Sequence, residues 1–262
     1  MRDCIVCQSA TQTKPYCHID RQDYVRCEQC GLIYIDRLLQ AEDLYKAYSG
    51  DFLKSFRRKL FAPFRKLHQY RNFDDAMERA RQIINFTAEQ INNDNKKVEY
   101  IDIGCNRGYL LGVAHERGWN PYGVELVPEL MAPFLNTYPQ YKSQVFTERF
   151  EDTRKKYLRD NMFDVITGID VVEHFEDVVE DVAGIYSVLK PGGIVVLQTP
   201  DAGCEQAISK KCDWGALKPL EHLHLFTAQG LEQIARRVGF SEYKIHKEFE
   251  EADGNFVAVL RK

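Results

Sequence analysis

The chain has 262 residues, 44% hydrophobic and 28% charged, enough to bury a sizeable core as one main domain with an appendage. Its formal net charge of -4 offers no global attraction to nucleic acid or an anionic membrane. The opening MRDCIVCQSA lacks the apolar stretch of a signal peptide, and no run approaches the length of a membrane span, so a cytoplasmic protein is expected.

Cysteines dominate the first segment. Cys4-Ile-Val-Cys7 and Cys27-Glu-Gln-Cys30 are separated by nineteen residues, and Gly31 follows the second pair. Disulfides are not the expected use of thiols in the cytosol, whereas two such knuckles can present four thiolates to Zn²⁺. One metal can then hold together a segment too short to bury a core. A structural zinc ribbon over residues 1–36, liganded by Cys4, Cys7, Cys27 and Cys30, is therefore expected; chance pairing or redox chemistry is the alternative. Cys17 and His18 lie between the pairs but are not needed by a closed four-cysteine site, and Cys105, Cys204 and Cys212 read as structural.

After a short strand in GLIYID, residues 37–97 read as a helical linker or lid. Phe52, Phe56, Leu60, Phe64 and Leu67 recur at helical spacing, with Pro63 predicted to kink or split the helix. Over residues 52–73 Lys54, Arg57, Arg58, Lys59, Arg65, Lys66 and Arg71 stand without an acidic neighbour until Asp74. Such a stretch suits peripheral contact with a membrane surface or a grip on phosphates; the alternative is a helix with one buried and one solvated face. NNDNKK at 92–97 is a polar hinge into a third region, 98–262.

From Val98 strand and helix alternate, which predicts an α/β fold around a mostly parallel, Rossmann-like sheet. Strands are expected at 98–103, 119–125, 143–147, 163–169 and 193–199, with helices at 128–137 and 177–190 and LKPGG turning the chain into the fifth strand. The carboxyl end reads as an antiparallel hairpin turning at Asp253-Gly254.

The stretch VEYIDIGCNRGYLL, residues 98–111, is a strand, a glycine loop and a helix. A dinucleotide site wants G-x-G-x-x-G, but Gly104-Cys105-Asn106-Arg107-Gly108 lacks the second glycine, and a P-loop lysine is absent. Asp102 at the strand end repels a pyrophosphate and welcomes a cation. Glu125, at the end of the next strand, can accept hydrogen bonds from both ribose hydroxyls. An adenosine ligand with a positive charge and no phosphate fits: S-adenosylmethionine.

DIGCNRGYLL, VEL, FDVITGIDVVEHF, LKPGGIVVLQTP and EHLHLFT stand in the order used by class I S-adenosylmethionine-dependent methyltransferases, and from Val98 onward the chain resembles that family. With the ribbon and linker it is similar to bacterial methyltransferases of sugar and surface-polysaccharide pathways. The resemblance implies that Gly104 and its neighbours Cys105, Asn106, Gly108 and Tyr109, with Asp102 nearby, hold the methionine part of the cofactor. It implies Glu125 on the ribose, Leu126, Phe150 and Glu151 near the adenine, and Asp170 and Val171 at the methionine end.

Methyl transfer to a hydroxyl gains from a general base, and histidine suits neutral pH. His222 is the first candidate, His174 the second and His224 the third; all follow the carboxyl ends of strands, and Glu173 and Glu221 can orient them. The expected acceptor is a sugar, nucleotide-activated or within a surface glycan. A quinone or phenol is the alternative, and an RNA delivered by the ribbon is disfavoured by the acidic net charge.

Overall fold

The computed structural model describes residues 2–8, 12–19, 22–37, 73–91, 97–219, 221–246 and 254–262. The basic stretch up to Arg71, Pro63 and the Asp253 turn position lie outside the described residues. Of the predicted linker, helix α1 (Phe73–Glu89) is described; it buries Ala76, Ala80, Ile83, Ile84 and Phe86 along one face and opens with Asp74 and Asp75, the charge a helix amino terminus favours.

Alternation follows as expected: β4 (Glu99–Ile103), α2 (Tyr109–Glu116), β5 (Asn120–Val124), α3 (Pro128–Thr137), β6 (Val145–Phe146), α4 (Phe150–Tyr157), β7 (Phe163–Ile169), α5 (Val178–Val188) and β8 (Leu189–Pro200). Beyond it come α6 (Glu205–Lys210), β9 (His224–Leu225), α7 (Ala228–Val238), β10 (Glu242–His246) and β11 (Asn255–Arg261). Strands β4 to β8 run parallel, and β11 is antiparallel to both β8 and β10, giving the order β10-β11-β8-β7-β4-β5-β6. Two boundaries moved. Residues 139–144 wind as a 3-10 turn, which leaves β6 two residues. LKPGG lies within β8, where the register against β7 jumps from Phe163↔Leu189 to Val165↔Ile194 and the Pro-Gly-Gly loops out as a bulge.

The strand order reverses between β4 and β7, and the crevice at their carboxyl ends is where an open α/β sheet binds its ligand. Here the chain adds a second device. Strands β1 (Thr13–Ile19), β2 (Gln22–Cys27) and β3 (Ile33–Ile35) form an antiparallel sheet completed by β9, which belongs to the segment after β8. The amino-terminal segment is thus stitched into the rim of the main sheet. Tyr24, Ile33 and Ile35 pack with Trp214, Leu217, Leu223 and Leu225, each fully buried side chain contributing roughly 1.5–3 kcal/mol. A disulfide joins Cys17 of β1 to Cys212 behind α6, so Cys17 has a structural partner that the sequence does not announce.

Candidate active site

The loop after β4 is held open by its own backbone. Gly104 sits at φ +75°, and a Cβ there would collide with Val171 Cγ2, so this turn admits glycine alone. The amides of Gly104 and Cys105 both donate to the Val124 carbonyl at 2.8 and 3.0 Å, tying the loop to the end of β5. Asn106 takes φ +49°, a left-handed conformation that asparagine tolerates. Cys105 points inward, its Sγ 3.5 Å from Met131 Sδ, so it offers a ligand backbone and not thiol. Tyr109 opens α2, its ring edge-on to Phe73 at 5.7 Å.

Two carboxyls flank this loop. Asp102 is 2% exposed and accepts from Thr167 Oγ1 at 2.6 Å, while Thr167 in turn bonds the Tyr100 hydroxyl at 2.6 Å. Burial pushes the Asp102 pKa up to about 7, the behaviour of a buried acid with no cation beside it among the described residues. Glu125 accepts from the Asn106 amide at 2.9 Å and from the Val127 amide at 3.0 Å, bridging the two loops. Burial raises its pKa, and the backbone donors hold it back. Next to it Leu126 is 45% exposed, an apolar side chain left uncovered. A buried acid with no counter-cation among the described residues, a second carboxyl at the end of the next strand and an uncovered leucine fit the sulfonium nucleoside that the sequence points to.

A second group of polar side chains gathers around the loop that follows β7. Asp170, at φ +55°, accepts from Gln198 Nε2 at 3.2 Å and lies 3.9 Å from the Arg79 guanidinium; burial raises its pKa and Arg79 opposes that. Glu173 is fully buried, with Oε2 accepting from Thr199 Oγ1 at 2.9 Å. Its Oε1 has no partner among the described residues, and its pKa rises to about 8 through burial and then the nearby Asp170. His174 and His222 meet edge to face, 4.8 Å between ring centroids. His174 Nδ1 lies 2.7 Å from the Glu221 carbonyl. Burial, His174 and Lys218 hold His222 well below the usual imidazole pKa, and its Nδ1 has no partner. The loops carrying these residues are laced by the Leu223 amide donating to the Glu173 carbonyl at 2.9 Å.

At the amino terminus Cys4, Cys7, Cys27 and Cys30 converge, with Cys4–Cys30 sulfurs 3.6 Å and Cys7–Cys27 sulfurs 3.8 Å apart. Tetrahedral zinc thiolates, with bonds of about 2.3 Å, place their sulfurs about 3.8 Å from one another. Gly31, at φ +75°, closes the second knuckle; a Cβ there would come within 2.6 Å of Thr227 Cγ2, and the Thr227 hydroxyl donates to the Cys30 carbonyl at 2.6 Å.

A family model described as a methyltransferase domain matches residues 68–244, more than half of the chain. The chain belongs to this methyltransferase domain family. Among curated relatives, the ubiquinone biosynthesis O-methyltransferase of Rickettsia typhi is 24% identical over 155 residues, covering 56% of this chain and 62% of that protein. The tRNA U34 carboxymethyltransferase of Helicobacter acinonychis is 32% identical over 156 residues, covering 55% and 56%. The chain therefore spans less than two thirds of the length of these relatives. A solved S-adenosylmethionine-dependent methyltransferase from Archaeoglobus fulgidus superposes with a TM-score of 0.56 at 18% identity, covering 82% of this chain and all of that one. Magnesium protoporphyrin IX methyltransferase from Synechocystis, solved with bound S-adenosylhomocysteine, gives 0.56 at 14% identity, covering 85% of this chain and all of that one. At these identities the likeness establishes the fold, a Rossmann-like methyltransferase sheet.

Within this methyltransferase domain the expected residues separate into groups. Asp102, Gly104, Asn106, Glu125, Leu126, Asp170 and Val171 surround the crevice between β4 and β7, and Gly108 stands at φ +73° where α2 begins. Phe150 and Glu151 go elsewhere: Phe150 is buried in the core near Gly184 of α5, and Glu151 pairs with Lys155, which lowers its pKa. His224 also leaves the group. It is 1% exposed, its Nε2 accepts from Arg2 at 2.8 Å, its Nδ1 faces the Phe175 carbonyl at 3.2 Å, and burial pushes its pKa down to about 3. Both ring nitrogens serve the joint with the amino-terminal sheet, so we assign it no chemistry. Trp214, 2% exposed, anchors its loop in that joint. Arg79, Thr167 and Thr199 were not anticipated; each comes from a different element, and a sequence pattern carries no sign of which threonine meets which acid.

Proposed function

We propose that the protein uses S-adenosylmethionine to methylate a hydroxyl of a small-molecule acceptor, a sugar in the first instance. What supports this reading is that Val171 lies against Gly104 of the Asp102–Gly104–Glu125 loop, and that Glu173 and His174, which follow Val171 closely in the chain, meet His222. Asp102 would face the cationic end of the cofactor, Glu125 the ribose hydroxyls and Leu126 the adenine. When bound, the cofactor supplies a methyl group on a sulfonium; transfer to a hydroxyl leaves a neutral thioether, an ether and one proton. The chain's own task is to hold the hydroxyl in line, keep water out and receive or redirect its proton. The unpartnered His222 Nδ1 and Glu173 Oε1 are the lone pairs an acceptor hydroxyl would meet.

Polar groups around this position, Lys218 and Asp170 included, support a polyhydroxy acceptor. A second reading, a phenolic or quinol acceptor, is supported by the ubiquinone biosynthesis O-methyltransferases of Rickettsia typhi and Pseudomonas fluorescens among the relatives. Structural zinc on the four cysteines and a cytoplasmic location complete the proposal. No helix among the described residues is long and apolar enough to cross a membrane. The test is transfer of labelled methyl into nucleotide sugars, glycan fragments, phenols and structured RNA. Label in a sugar supports the leading reading, label only in a phenol selects the second, and label only in RNA overturns both.

A further inference from the structure

Glu173, His174 and His222 each bring one candidate donor atom within 4.8 Å of the others. Glu173 and His174 have their outer atoms committed. His174 presents Nδ1 to the Glu221 carbonyl at 2.7 Å; a nitrogen that donates to a carbonyl carries the proton, so Nε2 keeps the lone pair. His222 leaves its buried Nδ1 without a partner among the described residues. Glu173 receives Thr199 Oγ1 on Oε2 and leaves Oε1 bare inside the protein. A histidine whose far nitrogen donates to a backbone carbonyl, and a carboxylate whose far oxygen is hydrogen-bonded, are the outer-shell arrangements that orient metal ligands. Leaving a fully buried carboxylate oxygen and a 4% exposed imidazole nitrogen unsatisfied is costly. One cation answers all three groups.

We propose that Glu173, His174 and His222 form a site for one divalent transition-metal ion that holds and acidifies the acceptor hydroxyl. Two imidazoles and one carboxylate on one face leave further positions open, the donor set suited to zinc, cobalt, manganese or ferrous iron. An acceptor with two adjacent oxygens, a vicinal diol or a catechol, fills two of these positions and is the substrate class that such a centre selects. Bound to the cation, the hydroxyl loses its proton to water, as water itself does on a metal, and its oxygen becomes the nucleophile. In this form the two histidines are ligands and not proton acceptors. The inference about the acceptor rests on the methyl-transfer reading; the ion site does not.

Cobalt(II) titration of the purified full chain tests it, with zinc content measured alongside. The expected result is one cobalt per chain with visible ligand-field bands, without a thiolate-to-cobalt charge-transfer band and without displaced zinc. Glu173→Gln and His222→Ala should each weaken cobalt binding about tenfold or more, and Thr199→Val should weaken it as an outer-shell partner does. Binding of S-adenosylhomocysteine by each variant shows that the fold survives. Wild-type protein that binds S-adenosylhomocysteine but no cobalt outside its cysteines overturns the site, as does cobalt affinity indifferent to both substitutions. Cobalt bound as expected, with no acceptor methylated in its presence, overturns the methyl-transfer reading and leaves the site standing.

Discussion

Asp102 is a small test of the cofactor assignment because its ionisation and its ligand are coupled. Burial raises its pKa from 3.8 to about 7. Between those values the folded protein holds a proton that the unfolded chain has released, so this group makes unliganded stability fall as pH rises through the window. A cationic ligand favours the ionised form. Affinity for S-adenosylmethionine should therefore increase as pH rises through about 7, by about tenfold for each unit by which the ligand lowers the pKa. Calorimetry from pH 6 to 8 would show it, and Asp102→Asn should flatten the profile; a flat profile in the unaltered protein removes the electrostatic role. At this scale the sequence was informative about which residues stand at a strand end. The positions of Asp102, Gly104 and Glu125 at the ends of β4 and β5 were legible for that reason. The roles of Phe150 and His224 were not, because the direction of a side chain at a helix start or in a short edge strand depends on packing partners far along the chain.

Elements show a different limit. Hydrophobic runs and Gly-Pro punctuation located β4, β5, β7, α3 and the terminal hairpin closely, while β6 shrank and LKPGG became a bulge because register is set by the neighbouring strand. Pairing of β3 with β9 has no local signal at all, yet it decides how the ribbon relates to the site. Tyr24 donates to the His222 carbonyl at 3.2 Å, and the Ile35 amide donates to the Leu223 carbonyl at 3.3 Å. Strands β2 and β3, which follow and flank the cysteine pairs in the chain, thus brace the loop that carries His222. Cys27→Ser should lower zinc per chain and the melting temperature, and should reduce turnover at saturating cofactor while cofactor affinity changes little. Zinc lost with turnover intact would separate the ribbon from the site; full zinc retention would end the zinc assignment.

For the whole molecule, one chain joins two sheets: a doubly wound sheet whose core takes in Cys4, Leu32 and Tyr34 of the amino-terminal segment, and an amino-terminal sheet that borrows β9 and packs Tyr24, Ile33 and Ile35 against the segment after β8. The Cys17–Cys212 disulfide ties the same two parts together by a second route. The composition had favoured reduced thiols, and two cysteines 195 residues apart give no local sign of pairing. The central claim divides the crevice into a cofactor half and an acceptor half. Steady-state methyl transfer by the unaltered protein, Glu125→Ala and His222→Ala tests that division most directly. Loss of the Glu125 hydrogen bonds should raise the KM for S-adenosylmethionine about tenfold or more with kcat largely kept. Loss of His222 should lower kcat about a hundredfold with cofactor affinity unchanged. Unimpaired turnover by His222→Ala, or unchanged KM in Glu125→Ala, would contradict the account.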